Sequence, residues 1–160
     1  MNESKLDAKK RAVIEIAEDL FLSQGLAATE MKEIARRASI SRSTLYRMFD
    51  SRETLAFAVA DKCLHELFDP KPLEIYGTGR SGFEILRSYS NNLIETMIQG
   101  VRYVKYLSEF DQIFSGDYPD TPEAQKYVRF NRQRHDRQIL LNILRLGVED
   151  GSIRGDIDAN

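Results

Sequence analysis

Residues 29–49 read 29-TEMKEIARRASISRSTLYRMF-49, and the folding of this stretch decides the architecture of the chain. Two short segments with helical apolar spacing flank Ser39-Ile40, a piece too short to be anything but a turn. Short helices that cross steeply over such a turn bring their backbones close, so the first of them needs a small residue at the crossing. Ala35 stands there. The turn then needs a residue that tolerates a left-handed backbone, and Ser39 occupies that place. Ile40 plugs the joint, Leu45 packs the second helix down, and Ile34 and Met48 close the small core. With those positions inward, the other face of a helix from Arg42 to about Met48 carries Arg42, Ser43, Thr44, Tyr46 and Arg47. All are donors of the kinds that reach base edges or phosphates. Ser41 caps this helix and leaves some first-turn amides free to face an anion.

Upstream, Val13, Ile14, Ala17, Leu20 and Phe21 form a one-sided stripe on a helix from about Leu6 to Gln24, ended by Gly25. Thr29 is expected to cap the second helix, which runs to about Ala38, with Glu30 in its first turn. Downstream, Phe49-Asp50-Ser51 breaks the third helix, and Asp50 or Ser51 caps a fourth that carries Leu55, Ala58, Val59, Lys62, Cys63 and Leu67. Asp69-Pro70-Lys71-Pro72 stops it, because proline lacks the amide and clashes with the preceding turn. Ser81-x-x-Glu84 is a capping box that opens a helix to about Gln99, with Phe83, Leu86, Leu93, Ile94 and Met97 expected inward. Gly100 separates it from Val101–Phe114, whose stripe is Val101, Val104, Leu107, Phe110 and Phe114. Thr121-Pro122-Glu123 starts a last long helix that is expected to run to about Asp150 and end at Gly151. No strand pattern, repeat or low-complexity segment interrupts this order. The fold class is all-α. The expected spans are 1–50 for a helix-turn-helix domain, 51–68 for a connecting helix, 69–82 for a linker and 83–160 for a helical regulatory domain.

The 160 residues carry a net charge of -2, which by itself does not suggest a partner for a polyanion. The distribution is more telling. Residues 36 to 52 hold five arginines against one acid, whereas Arg154 is the only cation from Glu149 onward, against four acids. One basic face on an acidic chain can still meet phosphates. No apolar run approaches the roughly 20 residues that span a bilayer, so no membrane partner is expected. The polar start MNESKLDAKKR does not read as a secretory signal, and the single cysteine, Cys63, allows no internal disulfide. Both fit the cytoplasm. Cys63 itself reads as a small core residue. There is no glycine-rich phosphate loop, no His-Glu-x-x-His, no Cys-x-x-Cys and no Gly-x-Ser-x-Gly. Catalysis and a cofactor are therefore not expected. His65 and His135 lack ligand partners at metal spacing, so no metal is expected either. The basic stretch Arg129, Arg132, Arg134, His135 and Arg137 reads as a solvated helix face.

The run from about Arg11 to Ala58 resembles the N-terminal domain of TetR-type (TetR/AcrR) transcriptional regulators. Ala17, Leu20, Phe21, Gly25, Thr29, Ile34, Ala35, Ala38, Ile40, Ser41, Leu45, Tyr46, Phe49 and Leu55 carry the resemblance. It implies that the third helix reads the major groove of duplex DNA, with Tyr46 and Thr29 on phosphates. Arg52 stands where a phosphate-binding lysine usually opens the fourth helix. Ser39 replaces the usual turn glycine, and Met48 stands where a histidine or tyrosine is common. The expected DNA contacts are Thr29, Ser41, Arg42, Ser43, Thr44, Tyr46, Arg47 and Arg52. The resemblance also implies a helical second domain that binds a small-molecule effector and a homodimer on a palindromic operator. Phe83, Leu86, Tyr89, Met97, Tyr103, Tyr106, Phe110 and Phe114 are the candidate pocket residues. The family's usual final helices would begin near Gly151 and are expected to be missing. The alternative reading is a protein-interaction module that uses the three-helix unit as a docking surface.

Overall fold

The computed structural model describes residues 5–68, 79–116, 118–133 and 136–156, and the ordered elements among them are all helices. They are α1 (Lys5–Gln24), α2 (Met31–Arg37), α3 (Arg42–Met48), α4 (Arg52–Phe68), α5 (Gly82–Gln99), α6 (Val101–Phe114), α7 (Pro122–Gln133) and α8 (Asp136–Glu149). The chain packs as two units. One joins Met1–Leu67 to Val101–Arg132, and the other joins Phe68–Gly100 to Gln133–Asn160. Helices α6 and α7 thus pack with the N-terminal helices, so the packing units cut across the linear spans expected from the sequence.

In the first unit α4 is the central element. Leu55, Ala56, Phe57, Val59, Ala60 and Cys63 are fully buried, together with Leu20 and Phe21 of α1, Ile34 of α2 and Leu45 of α3. Phe57 lies edge-on or tilted to four rings, with Phe110 and Phe114 at 4.8 Å, Tyr118 at 5.5 Å and Tyr127 at 5.7 Å between centroids. Such edge-to-face arrangements put the positive ring edge on the negative face of a neighbour. Tyr106 is buried and its hydroxyl donates to the carbonyl of Ala56 at 2.9 Å. Burial holds its phenol well above the ordinary range. Glu18 of α1 and Lys62 of α4 form a partly buried ion pair. Burial opposes the Lys62 charge, but the hydrogen bond and charge of Glu18 outweigh it and raise the ammonium. The Cys63 thiol is pushed up to about 12, first by burial and then by Glu18.

The second unit is built on α5 and α8. A Cβ on Gly82 would lie 2.2 Å from the backbone nitrogen of Gly147, so only glycine permits this crossing. Ile153 folds back over Gly147 and donates its amide to the Gly147 carbonyl at 2.8 Å. The capping box at Ser81 and Glu84 forms as the sequence indicates. A carboxylate from the other end of the unit adds to it: Asp150 Oδ2 accepts from the Gly82 amide at 2.6 Å, and Ser152 Oγ accepts from Phe83 at 3.0 Å. Hydrogen bonds from Ser152 and Gly82 hold the Asp150 carboxyl below its usual range.

Two expectations need correction, the Thr29 cap and the inward face of α5. Thr29 does not cap α2: the cap position is Glu30, without a side-chain bond, and the Thr29 hydroxyl turns back to the Gly25 carbonyl at 2.8 Å. The long helix expected after Thr121 is described in two stretches, α7 and α8. Arg134 and His135, between the two stretches, lie outside the described residues together with the Arg137 side chain, while Arg129 and Arg132 are exposed. On α5 the expected inward face is not buried: Phe83 is 51% exposed, Ile94 55% and Met97 41%, and only Gly82 and Ile85 are buried. The stop at Asp69-Pro70-Lys71-Pro72 falls outside the described residues, as does most of the expected linker.

Candidate nucleic-acid interface

The α2–α3 turn is a helix ending of the Schellman type. Ser39 has φ +53°, its amide donates to the Arg36 carbonyl at 3.2 Å, and the Ile40 amide reaches back to the Ala35 carbonyl at 3.0 Å. The two bonds satisfy carbonyls that a helix end would otherwise leave open. Ser39 bears a Cβ in this conformation, which costs about 1–2 kcal/mol relative to a right-handed one. Ala35 is buried at the crossing and Ile40 is half-buried over it.

Ser41 then caps α3. Its oxygen accepts from the Thr44 amide at 3.1 Å and lies within hydrogen-bond distance of the Ser43 and Thr44 hydroxyls, at 2.9 and 2.8 Å. Leu45 and Met48 point into the core, and Phe49 is buried beneath the Lys10 ammonium, which lies 5.6 Å from its ring centre. The outer face is as the sequence indicates. Ser41, Arg42, Ser43, Tyr46 and Arg47 are exposed and Thr44 is half-buried. Arg42 and Arg47 make no ion pair or hydrogen bond among the described residues, so both guanidinium groups are free to take a new partner. Arg37, by contrast, is tied to Asp19 of α1 at 2.7 Å.

Beside α3 lies a cleft of about 480 Å³ with Thr29, Arg42, Tyr46 and Arg52 in its walls. Ser51 caps α4 here, accepting from the Thr54 amide at 3.1 Å, which settles the choice left open between Asp50 and Ser51. Arg52 lies next to that cap, with Nη1 donating to the Ala27 carbonyl at 3.4 Å and Nε 3.8 Å from Glu53. Thr29 is fully buried and its hydroxyl is already engaged. It shapes the turn instead of presenting a donor.

Of the candidate pocket residues, Tyr106 and Phe110 are core and Phe114 is half-buried against Phe57. Tyr103 is half-buried on α6, while Phe83, Leu86, Tyr89 and Met97 belong to the other unit. Sequence reasoning missed Glu109, whose Oε1 accepts from the amides of Leu26 and Ala27 at 3.0 and 3.3 Å. The partners are 83 and 82 positions apart, and no local pattern connects them. No group of metal-binding side chains and no helix long and apolar enough to cross a membrane occurs among the described residues.

Residues 13–59 match the family model described as bacterial regulatory proteins, tetR family. The α1–α4 segment that includes the helix-turn-helix is therefore of the tetR type. Along nearly its whole length the chain is similar to the HTH-type transcriptional repressor KstR2 of Rhodococcus jostii, 28% identical over 154 residues, covering 94% of this chain and 70% of the relative. KstR2 of Mycolicibacterium smegmatis is 29% identical over 160 residues, covering 96% and 71%. Among solved structures, the TetR family regulator PfmR of Thermus thermophilus superposes with a TM-score of 0.66 at 25% identity, covering 92% of this chain and 75% of that one. The tetR helix-turn-helix therefore accounts for the geometry of α2 and α3, and the chain is a DNA-binding transcriptional regulator.

Proposed function

We propose that the protein is a ligand-responsive repressor that binds a two-fold operator as a homodimer, in the cytoplasm and without catalysis. The observation that carries this reading is the unpartnered outer face of α3, where Arg42, Tyr46 and Arg47 stand in solvent above a fully packed base. Arg42, Ser43, Thr44 and Arg47 contact base edges or phosphates in the major groove. Tyr46 and Arg52, from the neighbouring cleft, hold the backbone together with the hydroxyl group of Ser41. Two such heads spaced by about one DNA turn, roughly 34 Å, require a dimer. Apolar side chains left in solvent on α5, such as Ile94 and Ile98, favour assembly. The effector is a small molecule with apolar surface, met by aromatic side chains of α6 such as Tyr103 and Phe114. It favours a state with lower operator affinity, which requires different affinity for the two states.

Selection of bound duplexes from a random pool tests the reading, and palindromic winners are the expected result. Affinity for the winner should fall steeply with salt, because each neutralised phosphate releases counterions. Arg47→Ala should lower discrimination between operator and random duplex by roughly 1–3 kcal/mol. A flat salt response, or no duplex bound at low salt, would instead support a protein-docking role for the three-helix unit.

A further inference from the structure

The turn between α1 and α2 is held from two sides by residues distant in the chain. Gly25, at φ +90°, turns the backbone away from α1 with its own amide bonded to the Phe21 carbonyl at 3.0 Å. The next two amides, of Leu26 and Ala27, find no backbone acceptor in the turn. Both point to Oε1 of Glu109 on α6, at 3.0 and 3.3 Å. Leu26 is only 2% exposed, so water is a poor substitute for that oxygen. A carboxylate that accepts amides makes charge-assisted bonds, stronger than neutral ones. The fit is close: a Cβ on Gly25 would come within 3.4 Å of the same oxygen. Helix α6 is itself fastened, through the Tyr106 hydroxyl on the Ala56 carbonyl and the buried ring of Phe110. On its other side the turn offers the Ala27 carbonyl to Nη1 of Arg52 at 3.4 Å.

We infer that Glu109 is a positioning residue for operator binding: its carboxylate fixes the α1–α2 turn, and the Ala27 carbonyl of that turn holds the Arg52 guanidinium beside Tyr46 and Arg42. The inference rests on the DNA-contact reading of Arg52 given above. It makes a sign prediction that simple charge does not. Removing an anion from a protein that binds a polyanion raises affinity if only net charge matters. Loss of the clamp lowers it.

The test uses the full chain and the selected operator duplex. Glu109→Ala should weaken binding about five- to tenfold, and amide exchange should accelerate at Leu26 and Ala27. Glu109→Gln loses the charge but keeps an oxygen acceptor, so it should bind within about twofold of the parent and keep both amides protected. In an Arg52→Ala background the Glu109→Ala penalty should vanish, because the side chain being positioned is gone. Thermal melting of each variant separates this from unfolding, and the glutamine variant keeps the comparison available if the alanine variant does not fold. Unchanged or tighter binding by Glu109→Ala overturns the inference. So does a penalty of full size in the Arg52→Ala background, or failure of Glu109→Gln to restore affinity. If the parent chain binds no duplex, the DNA-contact reading itself has failed. That outcome is distinguishable, because exchange at Leu26 and Ala27 would still respond to Glu109→Ala.

Discussion

Helices α4 and α5 differ by one residue in length, 17 against 18, and have the same mean hydrophobic character, yet they bury very different amounts of it. Helix α4 buries nine side chains from Thr54 to Leu67, whereas α5 buries only Gly82 and Ile85. The first meets α1 through Lys62 and Glu18, α6 through Phe57 and Phe110, and α7 through Phe57 and Tyr127. The second meets α8 through a glycine crossing and leaves Phe83, Ile94 and Ile98 in solvent. An apolar stripe therefore specifies which face a helix would bury and says nothing about whether there is anything to bury it against.

The largest expected effect tests the closed side of this contrast. Leu45→Ala removes a fully buried side chain from beneath α3 and should cost about 2–5 kcal/mol in denaturant unfolding. Operator binding should be lost with it. A much smaller cost would mean that the helix-turn-helix core is not as closed as it looks. Next comes the open side. Gly82→Ala places a Cβ 2.2 Å from the Gly147 nitrogen and should cost about 1–3 kcal/mol as α5 and α8 are forced apart. Hydrogen exchange should rise in α5 and α8 and stay low in α1 to α4. An equal rise in both would show that the two regions open as one and would break the comparison.

Acid offers a gentler probe of the α5–α8 unit. Asp150 has a folded pKa below its unfolded value, so its contribution is complete above about pH 4 and is lost as the pH falls through the lower folded value. Asp150→Asn should therefore melt below the parent at neutral pH, and the two melting curves should converge in strong acid. A gap that does not change with pH would show that the cap does not depend on charge. The smallest effect sharpens the account of the turn. Ser39→Gly relieves a left-handed Cβ and should stabilise the chain by about 0.5–1 kcal/mol. A loss of stability would show that the hydroxyl of Ser39 contributes something the backbone geometry does not reveal.

How much of this was legible in the sequence follows from the distance between partners. Ser39, Ser41, Ser81 and Gly25 act on groups a few positions away, and their roles were readable from spacing alone. The outer face of α3 was readable for the same reason, since Leu45 and Met48 fix which way Arg42 and Arg47 point. Thr29 failed although its partners are local. Its hydroxyl had two nearby choices, an α2 amide ahead or the Gly25 carbonyl behind, and spacing does not choose between them. Glu109 on Leu26, and Glu18 on Lys62 44 positions later, are decided by how α6 and α4 pack against α1, and nothing in their neighbourhoods announces it.

Cys63 has a practical consequence. The chain's one thiol is sealed inside α4's surroundings and stays protonated at neutral pH, so maleimides and other thiolate-seeking reagents find nothing to attack while the fold is intact. A fluorophore or spin label attached through Ser43→Cys would then report from α3 alone. The parent chain can serve as its own silent background, and any signal it acquires marks the moment α4 opens.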